Sequence, residues 1–401
     1  MKNLWDDNEA KEFEDDLGLR VYTSNLLGRS DELVLHGGGN TSVKSVVNGE
    51  DILFVKGSGW DLVSIKAEGF APVMLDTLKD MATFDTLSDS DMVRLQKEAM
   101  IDKSAPNPSV EAILHAIIPY KFVDHTHADA VVTISNSTNG EYLIREIYPN
   151  FLIIPYVMPG FILAKTIYEM TQNFDWEKCE GIVLLNHGIF TFDNDGKKSY
   201  DKMIEAVNKA EEFLSQKAPL VIEKYYPKGM VDIENLVSIL SKEKGHEIAI
   251  NINQSPIALH YASMRDLKQK ACRGVLTPEH IIRTKRAPLI LENSDIQKAV
   301  DEYKASYTEY FNTFAKDEIM LNPAPNYVVV KDFGVISVGK TQKEADIIND
   351  IVTHTMGAVL RADMLGGYES ISLKDSFDME YWELNKRSLG KGNYMIRLEN
   401  L

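Results

Sequence analysis

Residues 123–136 read VDHTHADAVVTISN and place two histidines one residue apart within an apolar run. Alternate side chains of a strand point to the same face, so a strand would project His125 and His127 together, whereas on a helix they would diverge. Two imidazoles on one face suit two ligands of a single metal ion. The stretch therefore predicts a strand that carries a pair of metal ligands.

A third imidazole, His187, lies in LLNHGIF at residues 184–190. Three neutral imidazoles with an open fourth position are typical of a catalytic zinc rather than a structural one. Each histidine taken alone is better interpreted as an ordinary core or surface side chain. The HTH pair favours the metal site, and the third ligand depends on the family context given below.

The segment PNPSVEAILH, residues 106–115, offers Glu111 and His115 four residues apart on one face of a helix. The spacing alone favours an ordinary surface glutamate with Ser109 capping the helix. If the helix points at the metal, Glu111 becomes a carboxylate in a partly dry site. It could then take a proton from a carbon whose neighbouring carbonyl the metal polarises.

Two glycine-rich segments, HGGGNTSVK at residues 36–44 and VKGSGWDL at residues 55–62, indicate turns whose backbone amides can hold a phosphate. Neither segment has the Walker spacing or the dinucleotide-binding pattern GxGxxG followed by a helix. A single glycine cluster is more often only a hairpin. With Ser109 and Lys56 as further donors, the phosphate site and the hairpin are equally favoured.

Composition limits the class of protein. The chain has 401 residues, 44% of them apolar and 26% charged, which predicts a soluble globular protein of two compact units. A net charge of −17 disfavours binding to nucleic acid or to an anionic membrane. Without a signal-like or membrane-spanning run we expect a cytoplasmic protein. The two cysteines, Cys179 and Cys272, lack CxxC spacing and predict neither a disulfide framework nor a thiolate zinc site.

The two halves of the chain share a pattern. Residues 181–214, from GIVLLNHGIF onwards, resemble residues 326–360, from NYVVVKDFGVI onwards, and Gly188 then corresponds to Gly334. The pattern predicts a second half that is a degenerate duplicate of the first. The alternative is that any strand, turn and helix look alike. We place the boundary in residues 220–250, with domains at 1–235 and 236–401.

Extending this comparison backwards sets HTHADAVVTI beside RTKRAPLILE. His125 and His127 then match Arg283 and Lys285, while His187 matches Phe333. The second half is therefore expected to lack the metal triad.

The motifs HGGGNTSVK, KGSG, PSVEAILH, HTHADAVV and LLNHGIF, in this order, resemble those of the class II aldolase/adducin family over roughly residues 10–220. The remainder, including TPEHIIRTKRAPLIL and ADMLGGYESIS, is similar to the aldolase portion of bifunctional rhamnulose-phosphate aldolase/lactaldehyde dehydrogenase proteins. The resemblance implies an α/β fold: an α/β/α layered domain with a central, mainly antiparallel sheet, followed by a degenerate copy of the same domain.

By motif, the resemblance implies that His125, His127 and His187 hold Zn²⁺ or another divalent transition metal, and that Glu111 is the catalytic acid and base. It assigns substrate phosphate to five residues, Gly39, Asn40, Ser58, Gly59 and Ser109. Val110 stands where small aldolases often have a second serine, which puts one phosphate contact in question. Family aldolases also borrow a tyrosine from a neighbouring subunit to protonate the aldehyde oxygen, and both Tyr142 and Tyr148 lie in the right region.

The implied activity is cleavage of a ketose 1-phosphate, such as rhamnulose 1-phosphate, to dihydroxyacetone phosphate and a small aldehyde such as lactaldehyde. Alternatives are a sugar-phosphate epimerase, another metal-dependent reaction of the family, or a non-catalytic adducin-like assembly module. The three histidines with Glu111 argue against the last. We expect a homo-oligomer that acts on a small sugar phosphate, with no nucleic acid or membrane partner. No dehydrogenase domain follows residue 401 in this sequence, so a separate dehydrogenase that consumes the aldehyde is a candidate partner.

Overall fold

The computed structural model describes residues 1–382, which divide into two compact units. Unit 1 comprises residues 1–135 and 139–216, and unit 2 comprises residues 136–138 and the residues from 217 onwards. Residues 218–232 form no helix or strand. The predicted domain boundary between residues 235 and 236 stays a prediction, and residues 383–401 of the predicted second domain lie outside the described residues.

Unit 1 alternates strands with helices along the chain. Its elements are α1 (Asp7–Ala10), α2 (Asp16–Gly28), β1 (Asn40–Val47), β2 (Glu50–Lys56), β3 (Phe70–Met74), α3 (Leu75–Thr83), α4 (Asp89–Glu98), α5 (Ala112–Ile117), β4 (Phe122–Thr126), α6 (Asp129–Ser135), α7 (Gly140–Ile147), β5 (Phe151–Ile154), α8 (Phe161–Met170), β6 (Gly181–Leu184), β7 (Gly188–Asp193) and α9 (Gly196–Lys217). The strands form one seven-stranded sheet in the order β3-β2-β1-β4-β7-β6-β5. Only the β5–β6 pair is parallel, which confirms the mainly antiparallel sheet.

The central strand β4 has a different helical layer on each face. Val123 belongs to an apolar cluster with residues of α5 and α8. Asp124, which points to the opposite face, accepts hydrogen bonds from Arg20 of α2 and Ser199 of α9. Arg20 and Asp124 are both completely buried, so this ion pair ties the helices to the middle of the sheet. Helices therefore cover both faces, which confirms the α/β/α layers, and His125 shares the face of Val123.

Unit 2 contains α10 (Ile233–Lys244), β8 (Ala249–Asn253), α11 (Pro256–Ala262), α12 (Leu267–Ala271), α13 (Ile281–Thr284), β9 (Leu289–Leu291), α14 (Ile296–Phe314), β10 (Tyr327–Val330), β11 (Gly334–Gly339), α15 (Gln342–Met364) and α16 (Leu373–Glu380). In the described part of unit 2, four strands follow the order β8-β11-β10-β9, and only β9 and β10 are parallel there. Residues of α10 and α14 pack on one face of this sheet. On the other face, Asn251 and Asn253 donate hydrogen bonds to side chains of α15.

The strand order of unit 2 repeats β4-β7-β6-β5 of unit 1, with the same antiparallel and parallel neighbours. The matching hairpins turn in the same way, because Asn186 and Asp332 occupy equivalent positions with φ of 59° and 56°. Each hairpin is followed by a long helix, α9 or α15. The described part of unit 2 is thus a copy of the second half of unit 1.

The predicted match of His125 and His127 with Arg283 and Lys285 is wrong. RTKRAPLILE forms α13 and β9, and β9 pairs in parallel with β10 just as β5 pairs with β6. The place of β4 is taken by β8, in which Ile252 faces Ile336 as His125 faces Phe190. In that match the apolar run of β9 is set beside AVVTI of α6, and an apolar run of this length does not distinguish a strand from a helix.

Within residues 1–382, every helix is too short or too polar to cross a membrane.

Candidate active site

The imidazoles of the HTH motif meet at the end of β4. His125 is fully buried, its ring stacks on that of Phe190, and its Nδ1 donates a hydrogen bond to the Ile189 carbonyl over 3.1 Å. This contact turns Nε2 towards His127, whose own Nε2 lies 3.0 Å away. The strand ends at Thr126, so His127 follows it directly. The two side chains point to one place, as the alternation of a strand predicts.

His187 joins the pair from the turn between β6 and β7. One ring nitrogen of each of the three histidines lies within 4.8 Å of the other two, and these nitrogens could hold one metal ion. Gly188 permits this approach: a Cβ there would lie 2.4 Å from the Thr126 carbonyl oxygen and 2.8 Å from Cε1 of His125. The turn therefore has to carry glycine for the imidazoles to meet.

The donor set fits a divalent transition metal. Zn–N bonds of 2.0–2.1 Å in a tetrahedral site place two nitrogens about 3.3–3.4 Å apart, close to the 3.0 Å between His125 and His127. The Ile189 carbonyl fixes the tautomer of His125, as outer-shell acceptors do around ligating histidines. Imidazole ligands suit several transition metals, so the donor set does not distinguish zinc from manganese or cobalt.

Glu111 lies beside the triad, at the N-cap of α5. It is only 5% exposed, which excludes an ordinary surface glutamate. Its Oε2 lies 3.5 Å from Nε2 of His125, and its Oε1 lies 3.6 Å from Nε2 of His187. Asn40, which pairs with His125 across β1 and β4, donates from Nδ2 to Oε2 over 2.6 Å. The carboxylate is thus held 3.5 and 3.6 Å from nitrogens of two of the histidines.

His115 supports this arrangement from one turn further along α5. It is fully buried, with Nε2 against Oδ1 of Asn40 and Nδ1 against Oγ of Ser42 at 2.7 Å. Burial, followed by the nearby His125, Lys44 and Arg20, lowers its pKa well below the usual range. His115 is therefore neutral.

The five phosphate candidates lie on two loops and on the segments that adjoin them: Gly39, Asn40, Ser58, Gly59 and Ser109. Backbone hydrogen bonds join these segments, from Ser109 N–H to the Lys56 carbonyl at 3.0 Å and from Ser58 N–H to the Asn107 carbonyl at 2.8 Å. Gly59 has φ +87°, the left-handed turn expected of KGSG. Asn40 is hydrogen-bonded to Glu111 and His115, so this phosphate candidate also binds the Glu111 carboxylate.

Lys56 adds a cation at the same place. Its Nζ donates to the Gly37 carbonyl over 3.1 Å, which connects the two glycine-rich loops. Burial lowers its pKa to about 8, although Asp61 and Glu111 act in the opposite direction. The ammonium group is therefore a local positive charge near Glu111 in a strongly acidic chain.

The two candidate tyrosines differ in exposure. Tyr148 is 1% exposed, and its hydroxyl donates to the Ala206 carbonyl over 2.7 Å. Burial also raises its pKa. Tyr142, on α7, is 62% exposed, with its hydroxyl bonded to Glu146. Only Tyr142 of the two is therefore accessible to a second subunit.

Two family models match the chain in succession. Residues 20–214 match the class II aldolase and adducin N-terminal domain, and residues 228–389 match the second domain of class II aldolases. The chain belongs to the class II aldolase/adducin family. The first match contains the histidine triad, Glu111 and all five phosphate candidates, so the whole candidate site of this family member lies in its aldolase/adducin domain.

This family member is also similar to individual proteins. A solved N-terminal class II aldolase domain of a conserved Thermoplasma acidophilum protein is 40% identical and covers 53% of this chain and 99% of its own, with a TM-score of 0.49. L-Fuculose-1-phosphate aldolase from Thermus thermophilus is 14% identical over 49% of this chain and 92% of its own, with a TM-score of 0.32. A Bacillus subtilis protein, described as the uncharacterized oxidoreductase YuxG, is 29% identical over 96% of this chain. This chain spans 60% of the length of that curated relative.

Sequence reasoning missed two supporting residues of this family site. The sequence indicates Gly188 only as the counterpart of Gly334, and His115 only as a neighbour of Glu111 on one face of a helix. The spacing of Glu111 and His115 was the available signal for the second. The sequence gives no comparable signal that Ser42 and Asn40 complete the network, because both lie in β1, about 70 residues before α5.

Proposed function

We propose that the protein is a zinc-dependent class II aldolase that cleaves a ketose 1-phosphate, such as rhamnulose 1-phosphate, to dihydroxyacetone phosphate and a small aldehyde such as lactaldehyde. One observation carries the proposal: the buried carboxylate of Glu111 lies 3.5 and 3.6 Å from nitrogens of His125 and His187. An acid–base group beside a triad that fits a metal is what carbon–carbon cleavage next to a carbonyl requires.

When bound, the metal would supply Lewis-acid polarisation of the substrate carbonyl. Glu111 moves the proton. In the synthetic direction it accepts a proton from the hydroxymethyl carbon of dihydroxyacetone phosphate, and in cleavage it returns that proton to the same carbon. Asn40 holds Oε2 by its N–H, and Oε1, on the side of His187, makes the transfer.

The loops beside the triad would bind the phosphate. Hydroxyl groups of Ser58 and Ser109 and the ammonium group of Lys56 supply donors, while the turns at Gly39 and Gly59 bring backbone close to the anion. A chain of net charge −17 needs such a local cation to hold an anionic substrate. Lys56 provides it.

The aldehyde half of the reaction needs a second acid, and we assign this role to Tyr142 of a neighbouring subunit. The assignment is supported by its exposure on α7, in contrast to the buried Tyr148. It requires a homo-oligomer, which we place in the cytoplasm. Tyr142 would give its proton to the aldehyde oxygen when the carbon–carbon bond forms.

Isotope exchange tests the proposal. We expect purified protein with one bound metal per chain to exchange the hydroxymethyl proton of dihydroxyacetone phosphate in D₂O, and to release dihydroxyacetone phosphate from either rhamnulose or fuculose 1-phosphate. Glu111→Gln should keep the metal and lose exchange, whereas His125→Ala should lose both. Glu141→Gln, an exposed glutamate paired with Arg145, is the matched control and should behave as wild type. Metal-loaded wild type without exchange or cleavage would contradict the aldolase and favour another reaction of the family.

A further inference from the structure

A chain of hydrogen bonds leads from Ser42 through His115 and Asn40 to Glu111. Oγ of Ser42 lies 2.7 Å from Nδ1 of His115, Nε2 of His115 contacts Oδ1 of Asn40, and Nδ2 of Asn40 donates to Glu111 over 2.6 Å. All four residues are buried. The chain joins two elements, since Ser42 and Asn40 belong to β1 and His115 to α5.

The donor and the acceptor of each hydrogen bond can be assigned in turn, starting at the Glu111 carboxylate. Asn40 faces the carboxylate of Glu111 with its NH₂ group, which donates to Oε2, and its Oδ1 therefore faces His115. Oδ1 only accepts, so Nε2 of His115 must carry the hydrogen. A neutral imidazole with Nε2–H accepts at Nδ1, and the Ser42 hydroxyl therefore donates to it. Every group in the chain has one consistent role.

We propose that His115 is a positioning residue that fixes the side-chain amide of Asn40, and through it the orientation of the Glu111 carboxylate. If the amide were free to flip, its carbonyl oxygen would meet the carboxylate and repel it. The Nε2–H of His115 prevents this flip, because Oδ1 of Asn40 can accept a hydrogen bond from it and the NH₂ group cannot. Glu111 is then held with Oε2 near His125 and Oε1 near His187.

The backbone around His115 is fixed as well. Nζ of Lys44 donates to the carbonyls of His115, Ile118 and Tyr120 at 2.7–2.8 Å, so it binds the C-terminal end of α5. The His115 ring also packs edge-on against Phe190 at 5.5 Å between centroids. The helix that carries both Glu111 and His115 therefore cannot shift relative to β1 without breaking several contacts.

Paired substitutions test the inference, which rests on the proposed function for its kinetic part only. His115→Phe keeps an aromatic ring beside Phe190 and removes both nitrogens. His115→Gln keeps an N–H donor near the position of Nε2. Thr191→Val is the matched control, because it removes another buried hydrogen bond, to the Ser199 carbonyl, on the opposite face of the sheet.

Crystal structures of the metal-free proteins give the first readout. We expect the Asn40–Glu111 contact to remain in wild type, Thr191→Val and His115→Gln, and to be lost in His115→Phe. A His115→Phe structure that folds with this contact intact would overturn the inference. If His115→Phe does not fold, Ser42→Ala replaces it, with a displaced Asn40 amide as the expected result and an unmoved one as the contradicting result.

Kinetics of the metal-loaded proteins give the second readout. We expect His115→Phe to lower kcat about 10- to 100-fold, the usual cost of removing an outer-shell partner, with KM within about twofold of wild type. His115→Gln should restore most of kcat. Equal kcat in His115→Phe and wild type would also overturn the inference. Wild type without any exchange would instead contradict the proposed function, and the crystal structures would still decide the role of His115.

Discussion

The α-carbon of Gly188 approaches the ring of His125 so closely that a Cβ on this glycine would lie 2.8 Å from Cε1 of that ring. The same Cβ would lie 2.4 Å from the backbone oxygen of Thr126 and 3.0 Å from Cδ2 of His127. Backbone cannot move away as the end of a flexible side chain can. Glycine at this turn is thus required for the three imidazoles to approach one another.

We expect Gly188→Ala to disorder the triad. The added methyl must displace β4 or the His187 turn, at a cost of about 1–3 kcal/mol for overpacking, and the bound metal should fall well below one per chain. Elemental analysis and thermal unfolding measure the two effects. Gly357→Ala is the control, because its Cβ would meet nothing closer than 3.8 Å; it should leave the metal content unchanged and, inside helix α15, should not lower the unfolding temperature. Full metal content in Gly188→Ala would contradict the geometry.

Metal removal should lower the stability of the protein. A metal held only by the folded triad adds about 2.7 kcal/mol to the free energy of unfolding when its free concentration is 100 times Kd. Thermal unfolding with chelator and then with added zinc measures the difference. His187→Ala should abolish the zinc response, while His246→Ala, at a half-buried histidine of unit 2, should retain it. An equal zinc response in His187→Ala and wild type would place the metal elsewhere.

The sequence predicts the local parts of the site because each depends on short-range spacing. The HTH pair needs only strand alternation, and the Gly188 and Gly334 hairpins share a pattern that is visible along the chain. The structure departs where apolar runs are ambiguous. Residues 130–135 are all buried and belong to α6, although their run AVVTI has no periodicity that distinguishes a helix from a strand.

Contacts between segments far apart in the sequence determine the parts of the site that the sequence does not predict. Glu111 looks like a surface residue by helical spacing, and it becomes buried because β1 brings Asn40 to its carboxylate. The wrong match of His125 with Arg283 has the same origin. The pairing of β8 with β11, which is not visible in the sequence, shows that Ile252 takes the place of His125 in unit 2.

Tyr142→Phe should lower kcat by about 10²-fold, the usual contribution of a positioned general acid, if the hydroxyl protonates the aldehyde oxygen in a neighbouring subunit. Exchange of the hydroxymethyl proton of dihydroxyacetone phosphate should stay near the wild-type rate, because Glu111 alone moves that proton. Steady-state cleavage and exchange in D₂O separate the two steps. Tyr226→Phe, a tyrosine with 64% exposure, is the control and should leave both rates unchanged. Wild-type cleavage by Tyr142→Phe would exclude this tyrosine.

We expect Lys285 of unit 2 to make the free energy of unfolding depend on pH in the alkaline range. The side chain is buried, with Nζ 3.7 Å from the centroid of the Tyr307 ring and 3.8 Å from Oε1 of Glu380. Burial lowers its pKa to about 8, although Glu380 acts in the opposite direction. Between this value and the ordinary 10.5, the unfolded chain binds a proton that the folded chain does not. The free energy of unfolding therefore rises with pH across this window, by at most about 3 kcal/mol, and this contribution is lost as pH falls through 8.

Urea unfolding of wild type and Lys285→Met between pH 7.5 and pH 10 measures this contribution as a difference in slope. The comparison is needed because the buried Lys244, whose pKa burial lowers to about 7, acts in the same direction. Methionine fills a similar volume without a charge, so the variant should show a flatter rise. Lys298→Met removes an exposed lysine of α14 and should keep the wild-type slope. Parallel slopes for Lys285→Met and wild type would mean that Lys285 stays charged in the folded protein, stabilised by Glu380 and the Tyr307 ring.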